Sequence, residues 1–473
     1  MRAADVRRRP PGVGRPGPRG GESIPKWCRP YAFPGVRITA RRRARGWGDA
    51  VQRRILGLTA TIAALGLTGV ISGCGLTGAD SGDVTLKLVA ADYDLTGGNT
   101  TQKYWDDLTA AYEAEHPGVN VEVQIESWND VDRKVAEMVK AGQAPDIAQI
   151  GAYADYAAAG QLYSADELLS IPVQANFLAP LASAGEMKRT QYGLPFAAST
   201  RLLFFNQKLF DRAGITEAPT TWAELTAAAE KLKDDDVPYP FALPLGPEEA
   251  QAETMMWLLS GGDGYTDATD RYRIDSDQNV ATFDWLKKNL VEKELTGPVA
   301  PGKLNRKDAF AAFTRGEVGM LNGHPSLMQE AEKKGVTVGK VALPGPNGKA
   351  KASMGVADWI MGFKQNGHRQ EIGDFLNFVF SDKNVLAFAG GNDLLPVTVS
   401  AYSRMESEEE HKNLRAFLKE LPSSQLPPVG KTSWAQVSEN IKQNIGKAVA
   451  PGTRPVDVLG KIGREATAAE SAE

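Results

Sequence analysis

The chain has 473 residues, of which 42% are hydrophobic and 24% are charged, and its formal net charge is −4. Residues 1–73 hold 15 Lys and Arg but only 3 Asp and Glu. The whole chain has 54 Lys and Arg and 58 Asp and Glu, so residues 74–473 hold 54 − 15 = 39 basic and 58 − 3 = 55 acidic residues. The net charge of this part is −16. Because a polyanion is repelled by an acidic surface, we expect no nucleic-acid partner.

Residues 1–50 contain twelve arginines and many prolines and glycines, without apolar periodicity. Such a composition cannot bury a core, so this segment is predicted to be disordered or not part of the protein. One interpretation is a basic arm for nucleic acid, and the other is a start codon assigned too far upstream. We favour the second, because Val51 is a plausible alternative bacterial initiator that restores the usual order of a basic region, an apolar region and a cysteine.

Residues 51–73 have the layout of a secretory signal, with two arginines before about eighteen uncharged residues. The run ends in VISGC, which resembles the bacterial lipobox, a family motif whose cysteine takes a diacylglycerol before a peptidase cuts in front of it. The resemblance implies that 51–73 is a lipoprotein signal peptide, that Cys74 is lipidated and that 74–82 is a tether. A retained membrane span is the alternative, although glycines and threonines make the run only moderately apolar.

The folded part begins with a predicted β-α-β-α-β unit. The stretches DVTLKLVAADYD and VNVEVQIES alternate apolar and polar residues, which indicates strands, and APDIAQIG is predicted as a third strand. The stretches TQKYWDDLTAAYEAE and DVDRKVAEMVKAGQ space apolar residues as amphipathic helices do. This alternation predicts an α/β fold with a parallel sheet and right-handed crossovers.

Three loops follow the predicted strands at their carboxyl ends, where open α/β sheets bind ligands. Each loop alone is a weak signal, because Asp and Asn are ordinary turn residues and aromatic residues usually belong to the core. Together the loops predict a ligand site at one edge of the sheet, with these candidate residues: Asp92, Tyr93, Asp94, Trp128, Asn129 and Tyr153.

Longer stretches resemble family 1 extracellular solute-binding proteins, the sugar-capturing lipoproteins of bacterial ABC importers. QYGLPF, FFNQKLFDRAGI and PTTWAEL match the family signature in order, and AFTRGEVGMLNG and GVADWIMGFKQNGHRQEIGDFLNFVF resemble later family segments. The resemblance covers about residues 83–460. Two positions depart from it, because Phe205 stands where the family usually has Tyr, and His324 with Pro325 stands near the ligand-stacking Trp of maltose binders. The resemblance therefore does not fix the sugar.

The resemblance implies a two-lobe periplasmic-binding-protein-like fold, with a ligand cleft between α/β lobes joined by hinge strands. It places the first lobe at about 80–196 plus 334–394 and the second lobe at 197–333 plus 395–466. Residues 197–200, with the sequence AAST, are expected to make the first crossing, because small residues suit a hinge.

Sugar hydroxyls need planar hydrogen-bonding groups, and the C–H faces of a sugar ring need a flat aromatic surface. Near the implied cleft these candidates are Arg201, Glu248, Gln251, Asn322, His324, Asp358 and Trp359. Simpler interpretations stay open, since glutamates favour a helix N-terminus, His324 precedes a proline, and Trp359 could pack between the lobes.

Patterns typical of enzymes are weak in this sequence. The four histidines lack zinc-ligand spacing, and neither a Gly-x-Ser-x-Gly elbow nor a P-loop occurs. The alternatives are the same fold with a non-sugar solute, or a surface-anchored glycan hydrolase with two opposed carboxylates. We expect a binding protein without cofactor or metal that captures a mono- or oligosaccharide by hinge closure. It is expected to be a lipid-anchored monomer on the outer face of the cytoplasmic membrane that delivers the sugar to ABC permease subunits.

Overall fold

The computed structural model describes residues 83–93, 100–128, 130–350 and 352–472. The predictions for residues 1–82, including lipidation of Cys74, and the candidates Asp94 and Asn129 lie outside these residues. In the described segments, no helix combines the length and apolar character that a membrane crossing requires.

The strands of the described segments are numbered in chain order. β1 to β13 are Val84–Ala91, Val119–Glu126, Ile147–Ile150, Glu186–Met187, Thr190–Gln191, Leu194–Thr200, Leu202–Asn206, Tyr239–Phe241, Val318–Gly323, Val338–Val341, Pro344–Gly345, Gly348–Lys349 and Gly355–Gly362. The three strands expected at the start of the fold are therefore β1, β2 and β3.

The α-helices of the same segments are numbered in the same way. α1 to α18 are Thr100–Glu115, Val131–Lys140, Ala154–Ala158, Ala165–Leu168, Ile171–Ala175, Ala179–Ala184, Gln207–Arg212, Trp222–Asp234, Ala250–Gly261, Asp277–Leu286, Arg306–Thr314, Pro325–Lys333, Arg369–Val379, Asp382–Gly391, Val399–Ser407, Arg415–Glu420, Trp434–Asn444 and Pro455–Glu470. The helices expected after the first and second strands are α1 and α2.

Two mixed sheets organise the molecule. The first sheet has the order β2-β1-β3-β13-β6, in which β1 is parallel to β2 and β3, and β13 is antiparallel to β3 and β6. The second sheet has the order β10-β7-β9-β8, in which only β8 and β9 are parallel. The predicted parallel β-α-β-α-β unit is thus confirmed, and its strands are three of the five in the first sheet.

Helices cover the sheets with the faces that their periodicity predicts. α1 buries Trp105, Leu108 and Tyr112, and α2 buries Val131 and Val135. α9 differs, because every one of its residues except Gln251 is buried. A helix that is buried on all sides lies inside a lobe rather than on its surface, so α9 is a central element of the second lobe.

The chain passes between the sheets at one residue, since Arg201 alone separates β6 from β7. The backbone N–H of Arg201 donates to Ser353 Oγ at 3.2 Å, and Ser353 Oγ donates to the Arg201 carbonyl at 2.6 Å. The backbone N–H of Gln425 donates to the Ser353 carbonyl at 3.0 Å. Three chain segments therefore cross side by side, which is the arrangement expected of a hinge.

The strand pairing differs from the expected lobe boundaries. β6 stays in the first sheet through Thr200, so the crossing lies at Arg201 instead of at residues 197–200. β10 pairs with β7 in the second sheet, although 334–394 was assigned to the first lobe. α16 packs on β6 of the first sheet, although 395–466 was assigned to the second lobe. The reason is that the local pattern of a short strand or helix does not specify its tertiary partner.

Candidate functional site

The first-lobe face of the site lies at the carboxyl ends of β1 and β2. Because β13 runs antiparallel to β3, with Trp359 opposite Ile150, Asp358 lies just beyond the end of β3. The Tyr93 hydroxyl donates to Asp358 Oδ2 at 2.8 Å and accepts from Gln149 Nε2 at 2.9 Å. Side chains from the end of β1, from β3 and from β13 therefore meet at this edge of the sheet.

Trp128 adds an aromatic surface to this face. Its ring meets the Tyr93 ring edge to face, with centroids 5.3 Å apart, and 36% of the residue remains exposed. A Cβ placed on Gly151 would lie 3.4 Å from Asp132 Oδ2 and 3.8 Å from Trp128 Cζ3, so Asp132 and Trp128 flank the same backbone position. We call Tyr93, Trp128, Asp132 and Asp358 the first-lobe face.

The carboxylates of the first-lobe face have raised pKa values. Burial raises the pKa of Asp358 to about 6; the hydrogen bond from Tyr93 opposes this, and the nearby charge of Asp132 adds to it. Burial also raises the pKa of Asp132, against the backbone amides of Ala152 and Gly151. Among the residues that the structure describes, no Lys or Arg nitrogen lies within 4 Å of either carboxylate.

The second-lobe face is built on the first turn of α9. Glu253 Oε1 accepts from Trp257 Nε1 at 2.8 Å and from Asn322 Nδ2 at 2.9 Å. Burial raises the pKa of Glu253 to about 8, and these two hydrogen bonds oppose the shift. Asn322 comes from the end of β9, so this contact joins a helix start to a strand end.

Arg306, the first residue of α11, lies beside two further carboxylates. It forms an ion pair with Glu249, and its Nη2 lies 3.7 Å from Glu248 Oε1. Glu248 Oε2 also accepts from the backbone N–H of Lys307 at 3.1 Å, which satisfies a donor at the start of α11. Glu248 and Glu249 therefore have a cation beside them, and Glu248 also has a backbone donor.

Arg201 occupies the crossing between the two faces. The residue is 8% exposed, and its Nη1 donates to Ser199 Oγ at 3.2 Å and to the Thr200 carbonyl at 3.4 Å. Burial lowers its pKa to about 10, whereas Glu249, Asp358 and Glu253 raise it. Arg201 lines a narrow pocket with these residues of the second lobe: Pro244, Glu249, Ala252, Glu253, Met256, Arg306, Phe310 and Asn322. We call Arg201, Glu248, Glu249, Glu253, Arg306 and Asn322 the second-lobe face.

His324 lies beside this pocket as the N-cap of α12. Its Nδ1 accepts from the backbone N–H of Leu327 at 3.4 Å, so the ring is neutral with its proton on Nε2. Burial, followed by the charges of Arg201 and Arg306, holds its pKa well below the usual range. His324 therefore keeps one N–H donor while its other nitrogen caps the helix.

Two candidates lie in the core of the first lobe. Tyr153 and Trp359 are both 0% exposed, and their rings pack 5.3 Å apart. The Tyr153 hydroxyl donates to the carbonyls of Ala184 at 2.7 Å and Glu186 at 3.1 Å. Trp359 packs on Tyr153, whereas its neighbour Asp358 bonds to Tyr93, so the two residues contact different groups. The structure thus gives neither aromatic residue a surface toward a ligand.

Two other candidates have backbone contacts. The backbone N–H of Asp92 donates to the Glu126 carbonyl at 2.8 Å and extends the pairing of β1 with β2. The carbonyl of Gln251 accepts from the Tyr265 hydroxyl at 2.6 Å. Gln251 is two residues from Glu253, so their side chains lie on opposite sides of α9. Gln251 therefore does not share the surface of Glu253.

Sequence reasoning missed three charged residues of the site, Asp132, Glu253 and Arg306. A signal for Glu253 did exist, because Glu249 and Glu253 are four residues apart and so share one helix face. Asp132 and Arg306 stand near the starts of α2 and α11, where charged residues are common on exposed surfaces. Only the tertiary structure brings them to the cleft.

One group outside the cleft has metal-ligating side chains. Glu408, Glu410 and His411 bring three ligand atoms within 4.8 Å of one another. His411 Nε2 lies 3.2 Å from Glu410 Oε1 and 3.6 Å from Glu408 Oε2. Contacts within the group alone give no independent reason to place a metal.

Comparisons with known proteins agree with this architecture. The model of the family described as bacterial extracellular solute-binding protein matches residues 96–385. A binding protein of Brucella abortus is 27% identical over 379 residues, which cover 77% of this chain and 89% of that protein.

Two solved structures are similar along most of their length. The cyclic α-maltosyl-1,6-maltose binding protein of Arthrobacter globiformis has 19% identity and a TM-score of 0.71, and the match covers 83% of this chain and 100% of that chain. An ABC transporter solute-binding protein of Thermotoga lettingae, bound with α-D-tagatose, has 18% identity and a TM-score of 0.67, with 82% and 99% covered. The predicted two-lobe α/β fold is thereby confirmed.

Proposed function

Because the chain belongs to the bacterial extracellular solute-binding protein family, we propose that it captures a mono- or oligosaccharide for an ABC importer. The observation that carries the proposal is the meeting of two faces of suitable chemistry at the crossing between the sheets. Asp358 and Tyr93 stand on one side, Glu253 and Asn322 stand on the other, and Arg201 lies between them.

The groups on the two faces match the chemistry of a sugar. Carboxylates, the Asn322 amide and the Arg201 guanidinium are planar groups that can hydrogen-bond to neighbouring hydroxyls. The exposed part of Trp128 offers a flat apolar surface for the C–H face of a ring. His324 contributes its remaining N–H donor at the edge of the same pocket. Similar solved structures are bound to, or named for, sugars, which supports this ligand class.

Capture proceeds by hinge closure in this proposal. A ligand that contacts both faces binds the closed conformation more tightly than the open one. Binding therefore shifts the protein toward the closed conformation. The three crossing segments at Arg201, Ser353 and Gln425 are the axis of this motion. The closed form then docks on the permease subunits in the membrane, and a partner ATPase supplies the energy.

Anchoring follows from the amino-terminal sequence. The chain is a monomer that is held on the outer face of the cytoplasmic membrane by lipid on Cys74, with 74–82 as the tether. Two or more acyl chains give stable attachment, whereas one chain is marginal. Intact-mass measurement of the membrane-associated protein should find Cys74 as a lipidated amino terminus, and a mass that still includes residues 1–73 would contradict the anchor.

Native mass spectrometry of the purified protein, followed by calorimetry with candidate glycans, tests the ligand class. A saccharide that binds with one-to-one stoichiometry and is recovered unaltered would support the proposal. Recovery of a shortened glycan would instead indicate a hydrolase. A tightly bound solute without sugar hydroxyls would keep the transport function but reject a saccharide as the ligand.

A further inference from the structure

The two faces of the cleft differ in how their negative charges are balanced. The second-lobe face has three carboxylates, Glu248, Glu249 and Glu253, and Arg306 lies beside the first two. The first-lobe face has two carboxylates, Asp132 and Asp358, and neither has a Lys or Arg nitrogen within 4 Å in the described part of the chain. The first-lobe face is therefore the one whose carboxylates lack a nearby cation among the described residues.

The partners of Asp358 leave most of its charge unbalanced. Its one hydrogen bond among the described residues comes from the neutral Tyr93 hydroxyl, at 2.8 Å. The negative charge of Asp132 is close enough to disfavour its ionisation, and Arg201 acts on it from beyond 4 Å while also facing Glu249 and Glu253. Buried charges in proteins are normally paired, and among the described residues Asp358 and Asp132 have no cation within 4 Å, so a positive group of a ligand would be favoured beside them.

The aromatic residues of the same face also suit a positive charge. Tyr93 and Trp128 stand at 88° to each other with centroids 5.3 Å apart, and Trp128 is one of the few large apolar side chains exposed in the described segments. A cation near the face of a Trp or Tyr ring is attracted by the ring quadrupole, most strongly when water is excluded. Two aromatic rings beside two carboxylates thus form a site of cationic preference.

From this juxtaposition we propose that the ligand carries a protonated primary amine on the sugar unit held by the first lobe. The amine lies between Asp132 and Asp358 against the indole of Trp128, while neutral hydroxyls of the ligand meet Arg201 and Asn322 on the second lobe. The inference rests on the proposed function, because it assigns an amino sugar as the class of saccharide. It also predicts discrimination against sugar phosphates, which would add a negative charge beside two carboxylates.

The test compares sugars that differ only at the nitrogen position. The first series for calorimetric titration consists of the β-1,4 trimers of glucosamine, glucose and N-acetylglucosamine. The second series consists of the monosaccharides glucosamine, galactosamine and mannosamine, each compared with its neutral parent, glucose, galactose or mannose. At pH 7 and low ionic strength, at least one amine-bearing sugar should bind tenfold or more tightly than its neutral and acetylated counterparts. Asp358→Asn keeps an acceptor for the Tyr93 hydroxyl but removes the charge, so it should abolish most of this preference, as should Asp132→Asn.

Asp155→Asn is the matched control, because it removes the same charge from an exposed position in α3, after β3, and should leave the preference unchanged. Neutral sugars that bind as tightly as their amine counterparts would overturn the inference and leave the proposed function standing. An amine preference that survives both Asp358→Asn and Asp132→Asn would overturn it as well. If no saccharide binds and the protein instead holds a non-sugar solute tightly, the inference and the proposed sugar ligand are both rejected.

Discussion

On the second-lobe face each carboxylate has an amide, an indole or a guanidinium beside it, whereas the carboxylates of the first-lobe face have a tyrosine and backbone amides. On the first face, Tyr93 and Trp128 follow strands of one sheet, Asp358 lies within β13, and Asp132 lies in the first turn of α2. The second face is assembled from the start of α9, the start of α11 and the end of β9. The carboxylates of the second face thus have hydrogen-bonding or charged partners within the protein, whereas among the described residues those of the first face have no cation within 4 Å.

Aromatic residues of the first lobe give the largest expected effect on stability. Trp359 is fully buried in contact with Tyr153. Trp359→Ala should therefore lower the free energy of unfolding by about 3–5 kcal/mol, as is typical for large-to-small changes in a core. Urea unfolding of the ligand-free protein measures this. A loss of affinity without a loss of stability would instead return Trp359 to the cleft.

Arg201 is expected to be the residue whose replacement costs the most affinity. Arg201→Met keeps much of the buried volume but removes the donors that face the pocket. Since hydrogen bonds to charged groups contribute about 1.5–3 kcal/mol each, binding should weaken by roughly a hundredfold. The melting temperature without ligand should hold or rise, because no carboxylate within 4 Å would lose its partner among the described residues.

Calorimetry and ligand-free melting curves separate the two effects of Arg201→Met. Unchanged affinity in the folded fraction would remove Arg201 from the site. A large drop in melting temperature would show that the guanidinium holds the crossing segments together, in addition to or instead of contacting a ligand.

Trp128 is partly exposed, unlike the buried pair of Tyr153 and Trp359, so its replacement should affect binding more than stability. Trp128→Ala should weaken sugar binding by roughly 1–3 kcal/mol, the value of burying an apolar side chain, with little change in the ligand-free melting temperature. The measurement is calorimetric titration of wild type and variant, with ligand-induced fluorescence changes as a second signal. A lower melting temperature with unchanged affinity would place Trp128 in a packing role.

The pH dependence of the free energy of unfolding tests the raised pKa values of Glu253 and Asp358. The pKa of Glu253 is raised to about 8 in the folded protein, so the folded state binds a proton that the unfolded state releases above its own pKa of about 4.5. Stability should therefore fall as the pH rises from about 4.5 to 8, by at most about 1.4 kcal/mol per unit from this group. Asp358, with a pKa of about 6, contributes in the same direction over a narrower range.

Glu253→Gln isolates this contribution while keeping an acceptor for Trp257 and Asn322. Urea unfolding at pH 5, 6.5 and 8 should show the wild type losing its stability relative to the variant as the pH rises. A difference between the two proteins that does not change with pH would mean that Glu253 is ionised throughout this range.

The fold could largely be predicted from local patterns, and the site only in part. Strand alternation and helix periodicity placed β1, α1, β2, α2 and β3, and the rule for strand ends put Tyr93 and Trp128 at one edge of the sheet, where their rings are in contact. The lobe boundaries could not be placed, because β10 carries no local sign of the sheet it joins. Glu253 and Arg306 were missed because α9 and α11 meet only through tertiary packing, and Trp359 could not be told from a stacking residue before its strand face was known.

The central claim is that one ligand contacts both faces and closes the hinge at Arg201. Small-angle X-ray scattering of the ligand-free protein, before and after addition of the saccharide found by native mass spectrometry, tests it most directly. We expect the radius of gyration to fall on binding, with a smaller change in the Arg201→Met variant at equal occupancy. A saccharide that binds tightly and leaves the scattering curve unchanged would contradict the claim.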